Sequence, residues 1–243
     1  HERRAVAVQI LRYAVAGGLI TLAVAALKGS RVMFMRFDAA GRFVGMRTPA
    51  ASPASNLPAL GYWVAIVSIF YLVLPAALIT FVFKERVLDF GLRVGIEDGF
   101  WKLLAVCLAV MLPIVYIVSQ TAGFSAKYPF LNIRNGAPYI GWTLVIWELI
   151  YFVQFFGLEF FFRGFLINSL KPAIGKYAIF AMTVPYCMIH FGKPPAETFA
   201  AIIAGVFLGW LSYRSGSILL GLILHCSVAV SMDILALYNK GLL

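Results

Sequence analysis

Seven stretches of this chain are apolar for roughly the length a helix needs to cross a lipid bilayer. They run Ala5–Leu27, Gly61–Phe83, Trp101–Gln120, Tyr139–Leu166, Ile174–His190, Ala196–Tyr213 and Ile218–Tyr238. About 20 apolar residues at 1.5 Å each reach across a hydrocarbon core of roughly 30 Å. In lipid every backbone N–H and C=O must bond within its own segment, so such runs fold as helices. Composition agrees: 62% of the 243 residues are hydrophobic and 12% charged, against about 45–50% and 25% in soluble domains. The expected fold is all-α, a polytopic transmembrane bundle of about seven spans. A soluble enzyme, a secreted disulfide scaffold and a disordered tail are excluded.

The net charge of +10 lies mostly between the apolar runs. There it meets anionic lipid headgroups, so the bilayer and not nucleic acid is the expected partner. Cys107, Cys187 and Cys226 fall inside apolar runs and read as small buried hydrophobes. The segment 28–60 is the longest polar piece. RVMFMRFDAAGRFVGMRT alternates like two short strands around Asp38–Gly41, and TPAASPASNLP reads as a linker. The chain is expected to be one integral membrane domain. Residues 5–138 form its anchoring half, with the loop 28–60 as a short soluble hairpin, and residues 139–238 form the core that carries chemistry.

Polar residues inside the spans need a reason, because each charge costs at least ~2.5–3.5 kcal/mol on insertion scales. The first three runs hold only Arg12, which can snorkel to a membrane face, and Lys102 at the very start of the third. The candidates are Glu148, Glu159, Arg163, His190, His225 and Asp233, all in the C-terminal half. Glu159 and Arg163 are four residues apart and share a helix face. That spacing suits a neutralised buried pair, and equally a carboxylate whose ionisation the guanidinium holds. His190 and His225 each suit a packing role alone. Together with Glu159 they bring carboxylate and imidazole from three helices, enough to activate water. Glu148 stands about 16 Å from Glu159 along a straight helix and is expected to be structural. Glu197 follows Pro194-Pro195 in the first turn of a helix, where an acid is favourable. Asp233, two turns beyond His225, suits a supporting hydrogen bond or the membrane edge.

There is no His-Glu-x-x-His and no Gly-x-Ser-x-Gly, and a paired-aspartate site would need a second membrane aspartate. Zinc on Cys187, His190, His225 and Cys226 is conceivable. However, neighbouring His225 and Cys226 point about 100° apart on a helix.

Three motifs, in order, resemble those of the CAAX prenyl protease and bacteriocin-processing family (CPBP or Abi intramembrane proteases). GLEFFFRGFL (157–166) is similar to its Glu-Glu-x-x-x-Arg motif, YCMIH (186–190) to Phe-x-x-x-His with Tyr186 for Phe, and LILHCSVA (222–229) to His-x-x-x-Asn. The resemblance implies a metal-free endopeptidase acting on a membrane-embedded or lipidated tail. Glu159 and His190 would deprotonate a water, His225 would donate to the oxyanion, and Arg163 would hold Glu159, with Tyr186, Glu197 and Asp233 in support. Phe155, Phe156 and Phe160–Phe162 would wall an apolar cavity or pack against lipid and helices. Two positions depart from the family: Leu158 stands for its first acid, and Ala229 for its Asn. An inactive binding or immunity protein of the same fold and a transporter are the alternatives. An Ala-, Arg- and Gly-rich composition points to a bacterial inner membrane.

Overall fold

The computed structural model describes residues 11–12, 15, 18–19, 55–93, 98–133, 140–191, 193 and 195–243. Most of the first apolar run, and the expected strands and linker before residue 55, lie outside these residues. The described residues form seven helices: α1 Leu57–Phe83, α2 Phe100–Ser119, α3 Ala122–Lys127, α4 Trp142–Ile174, α5 Tyr177–Met188, α6 Pro195–Ser215 and α7 Leu219–Asn239. Five of them, α1, α2, α4, α6 and α7, are long and apolar enough to span a bilayer. Among the described residues there is no strand, only isolated bridges at Ser55–Ile133 and Leu92–Ser217. This is an integral membrane protein built as a helical bundle.

Helix α4 is the centre. At 33 residues it is roughly 50 Å long, so it outruns the hydrocarbon core. The apolar run predicts a tilt, a bend at Gly157 or projection into water. The helix does not break at Gly157 but stays continuous and changes pitch three residues later, with π-helical turns over Phe160–Leu166. Every residue of that stretch is buried. Gly157 faces α1, where an added Cβ would stand 3.4 Å from Tyr71 and Leu72. Helix α1 runs through Pro75 between two π-helical stretches, Ile69–Val73 and Leu78–Phe83. Such wide turns accommodate the hydrogen bond that proline cannot donate.

Packing follows the small residues. Helix α5 lies along α6, α7 along α2, and α1 along α4. Gly205 and Gly209 set the first pair: an added Cβ would meet Thr183 Cγ2 at 2.8 Å and Met182 Cε at 2.7 Å. This is the small-x-x-x-small seam of membrane helices. The expected span 174–190 is shorter than its apolar run. Gly175 and Lys176 break it from α4, and 12 residues reach only about 18 Å. Residues 84–100 read as an interfacial segment, and within it Phe90 is 2% exposed and stacks on Phe165 at 6.3 Å. The loop expected at 121–138 contains α3, capped by the Thr121 side chain, which accepts from the Phe124 N–H at 3.3 Å.

Candidate active site

Glu159 ends the α-helical part of α4, and Arg163 lies one turn on, inside the π-helical stretch. Neither residue is exposed, and Arg163 Nη1 is 3.1 Å from Glu159 Oε1. Removing two charges from water is costly, and the pair holds only because other groups complete it. His225 of α7 supplies one: its Nδ1 lies 2.6 Å from the same Oε1. Tyr186 of α5 supplies another, its ring 3.9 Å beneath the Arg163 guanidinium, a cation–π contact. The Tyr186 hydroxyl lies 3.1 Å from His225 Nε2. Glu159, Arg163, Tyr186 and His225 thus form one contact cluster from α4, α5 and α7.

The tautomers follow from the partners. A carboxylate only accepts, so His225 Nδ1 carries a proton toward Glu159. In the neutral ring Nε2 then accepts from the Tyr186 hydroxyl. Both nitrogens of His225 are engaged at rest, where the motif resemblance implies a free donor for an oxyanion. Phe155 stacks flat on the ring, at 5.4 Å and 8°, and fixes its plane.

His190 stands in the turn after α5. Its Nδ1 donates to the Tyr186 carbonyl at 2.9 Å, and its ring packs against the Tyr186 ring at 4.8 Å. Burial, followed by nearby Lys193, pushes the imidazole down to about 2. The ring is therefore neutral, with a bare lone pair on Nε2. Among the described residues no hydrogen bond or ion pair joins His190 to Glu159 or His225; Tyr186 links them.

The supporting acids lie elsewhere. Asp233, 2% exposed, accepts from Trp147 Nε1 at 2.8 Å and lies beside Glu148. That places Glu148 and Asp233 together on the α4–α7 seam, away from Glu159. Glu197 accepts from the Tyr128 hydroxyl at 2.8 Å and pairs with Lys193. Burial, then the Glu197 charge, raises the Tyr128 phenol well above its usual range. Leu158 and Ala229, 5% and 4% exposed, are packed in apolar clusters. Of the two readings of the phenylalanines, helix packing holds for Phe160–Phe162, while Phe155 and Phe156 are half-buried. Phe160, Phe161 and Phe162 are buried, Phe161 stacks on Tyr71 at 4.8 Å, and Phe156 stacks on Phe160. Arg12 pairs with Glu85 just beyond α1 and lies over the Phe83 ring.

Sequence reasoning missed Gly221, two residues into α7. A Cβ there would stand 2.5 Å from Glu159 Oε2 and 3.0 Å from its Cδ. A glycine inside a helix, one turn before a membrane histidine, was the available signal. Among the described residues no three His, Cys, Asp or Glu side chains gather as a metal site.

Fold and site together define a polytopic helical membrane protein with a buried Glu–Arg–His cluster. Residues 140–231, well under half of the chain, match the family model described as Rce1-like, type II CAAX prenyl endopeptidase. The match falls on the helices whose motifs resemble the CPBP/Abi proteases, and it supports a protease, here embedded in a membrane. No curated protein and no solved structure matches the chain.

Proposed function

We propose that the protein is an intramembrane endopeptidase in which Glu159 activates a water against a membrane-embedded or lipidated protein tail. One observation carries the reading. Inside an apolar bundle, a fully buried carboxylate sits between Arg163 and His225, both of which approach its Oε1 most closely, and neither of its oxygens is taken up by a well-aligned hydrogen bond. Glu159 accepts a proton from water as the water oxygen bonds to the peptide carbonyl carbon. The C–N bond then breaks, and the same carboxyl returns the proton to the departing nitrogen. The products are a carboxylic acid and an amine. The Tyr186 hydroxyl donates to His225 Nε2 at 3.1 Å; the substrate oxyanion would take over that donor, a contribution worth about 2.7–4 kcal/mol at such sites. His190 offers a bare Nε2 beyond Tyr186 that accepts a hydrogen bond and helps to orient the water, the proton going to Glu159. The matched family's description as prenyl endopeptidases supports a lipidated tail. The Ala-, Arg- and Gly-rich sequence supports a bacterial inner membrane.

A second reading has its own support. Glu159 is fully buried, and Leu158 and Ala229 are packed in apolar surroundings. That is what a catalytically silent binding or immunity protein of this fold would show, with the ion cluster acting as a helix lock.

Cleavage of fluorogenic membrane-anchored and prenylated peptides by detergent-purified protein separates the two. Glu159→Gln and His225→Ala are expected to lower kcat by roughly 10²–10⁴-fold, and His190→Ala by less, with unfolding temperatures showing the variants folded. Full activity in Glu159→Gln would sink the protease reading as stated. Loss on chelation, restored by zinc, would turn it into a metalloprotease.

A further inference from the structure

Three helix ends meet at one face of the bundle: the start of α2, the end of α6 and the start of α7. Between them lies a cavity of about 320 Å³ whose lining includes Leu103, Phe207, Leu211, Ser212 and Leu220, with Gly221 and Glu159 on its wall. Asp98 and Arg214, also part of the lining, are exposed. The Arg214 guanidinium sits 5.6 Å above the Trp210 ring. Charged ends with an interfacial tryptophan mark the level where a bundle meets headgroups and water.

The inner wall has different chemistry. Glu159 is 0% exposed, neither of its oxygens makes a well-aligned hydrogen bond, and the closest contacts of Arg163 and His225 both go to Oε1, away from Oε2. A buried carboxylate oxygen without a donor is costly unless water reaches it. Gly221 is the nearest backbone, and a Cβ there would stand 2.5 Å from Oε2. Glycine weakens a helix interior relative to alanine, so its presence has a steric reason: it leaves the gap open. Ser212 lies in the same lining, 4% exposed. Its hydroxyl donates to the Arg163 carbonyl at 3.3 Å and keeps lone pairs for a water. The cavity has room for several waters and offers the two or more polar partners that each requires.

We propose that this cavity is a water-filled path from the membrane face at Asp98 and Arg214 to Glu159 Oε2, with Gly221 as its inner threshold, and that the hydrolytic water arrives by it. The hydrolytic part rests on the protease reading above; the path itself does not. The two carboxylate oxygens then divide the work. Oε1 is held by Arg163 and His225, and Oε2 takes the proton from water.

The test uses full-length protein with Cys107, Cys187 and Cys226 replaced by alanine, carrying Ser212→Cys, Leu211→Cys or, as a lipid-facing control, Val110→Cys (57% exposed). Each is treated with a charged methanethiosulfonate reagent, which reacts with a thiolate and therefore only where water reaches. Both cavity cysteines are expected to react at least about tenfold faster than Val110→Cys. Labelling no faster than the control overturns the path, whether or not the protein cleaves any peptide. Fast labelling upholds it even if cleavage assays refute the protease reading. In protein that cleaves, complete labelling at Ser212→Cys, or Gly221→Ala, is expected to lower kcat at least about tenfold with KM and unfolding temperature retained. Unchanged kcat in both overturns the claim that the reacting water uses this path.

Discussion

Glu159 and Arg163 face each other at 3.1 Å with neither side chain exposed, and that burial decides which substitutions the protein tolerates. Removing one member of a buried pair strands the other charge in a low-dielectric interior, at a cost of about 3–5 kcal/mol. Replacing both with apolar groups of similar size is often neutral. Arg163→Ala is therefore expected to be severely destabilised in detergent. Glu159→Leu combined with Arg163→Met should recover most of that stability while cleaving nothing. Equal instability of single and double variants would mean that packing on Tyr186, and not charge, holds the site. The pair itself was legible, because four-residue spacing on a helix puts two side chains on one face whatever the tertiary structure. The link from Glu159 to His225 was legible only as an inference, since polar groups in lipid turn inward together. What could not be read is which ring nitrogen meets which partner. The Tyr186 hydroxyl and carbonyl settle that for His225 and His190, and no spacing rule encodes two helices' relative rotation.

Helix existence was legible from apolar runs, but helix partners were not, because hydropathy says that a segment is in lipid and not which face it shares. The phenylalanines of α4 show the difference. A run of aromatics reads equally as lipid-facing surface, helix packing or cavity wall, and packing is what Phe160–Phe162 show, buried in the π-helical turns with Phe161 stacked on Tyr71. The glycines of α6 carry the partner information instead, as close approach needs a residue without a side chain. Gly205 faces Thr183, whose χ1 is stiff and whose hydroxyl is tied to the Ile179 carbonyl at 2.8 Å. Gly209 faces the flexible end of Met182, which can move aside. Alanine at Gly205 is therefore expected to destabilise by about 1–3 kcal/mol, and at Gly209 by clearly less. Thermal unfolding of the two variants in one detergent reads the order directly. The reverse order would show that α5 and α6 separate without cost at the Thr183 level.

At the scale of the whole chain, the charges divide it into a plain N-terminal half and a polar C-terminal half, which is how the sequence reads. Contacts cross that boundary throughout. Tyr71 of α1 stacks on Phe161 at 4.8 Å, Phe83 and Phe90 both stack on Phe165, and Leu60 shares a cluster with Trp147 and Ala229. Leu104 of α2 shares a cluster with Leu208 of α6 and with Leu220 and Leu224 of α7. Each buried aromatic pair contributes about 0.5–1.5 kcal/mol beyond the area it hides. Several of these pairs converge on Phe160–Leu166, where Arg163 sits. An N-terminal half that served only as an anchor would be dispensable to the core. These contacts make it the wall against which the π-helical stretch, and through it the Glu159–Arg163 pair, is held. A fragment beginning at residue 140 is therefore expected to insert into membranes yet emerge from detergent aggregated, without the cooperative unfolding of the full chain. Supplying residues 1–133 as a separate chain in the same cells should restore a monodisperse complex. A stable, cooperatively unfolding fragment on its own would instead make the N-terminal helices a detachable anchor.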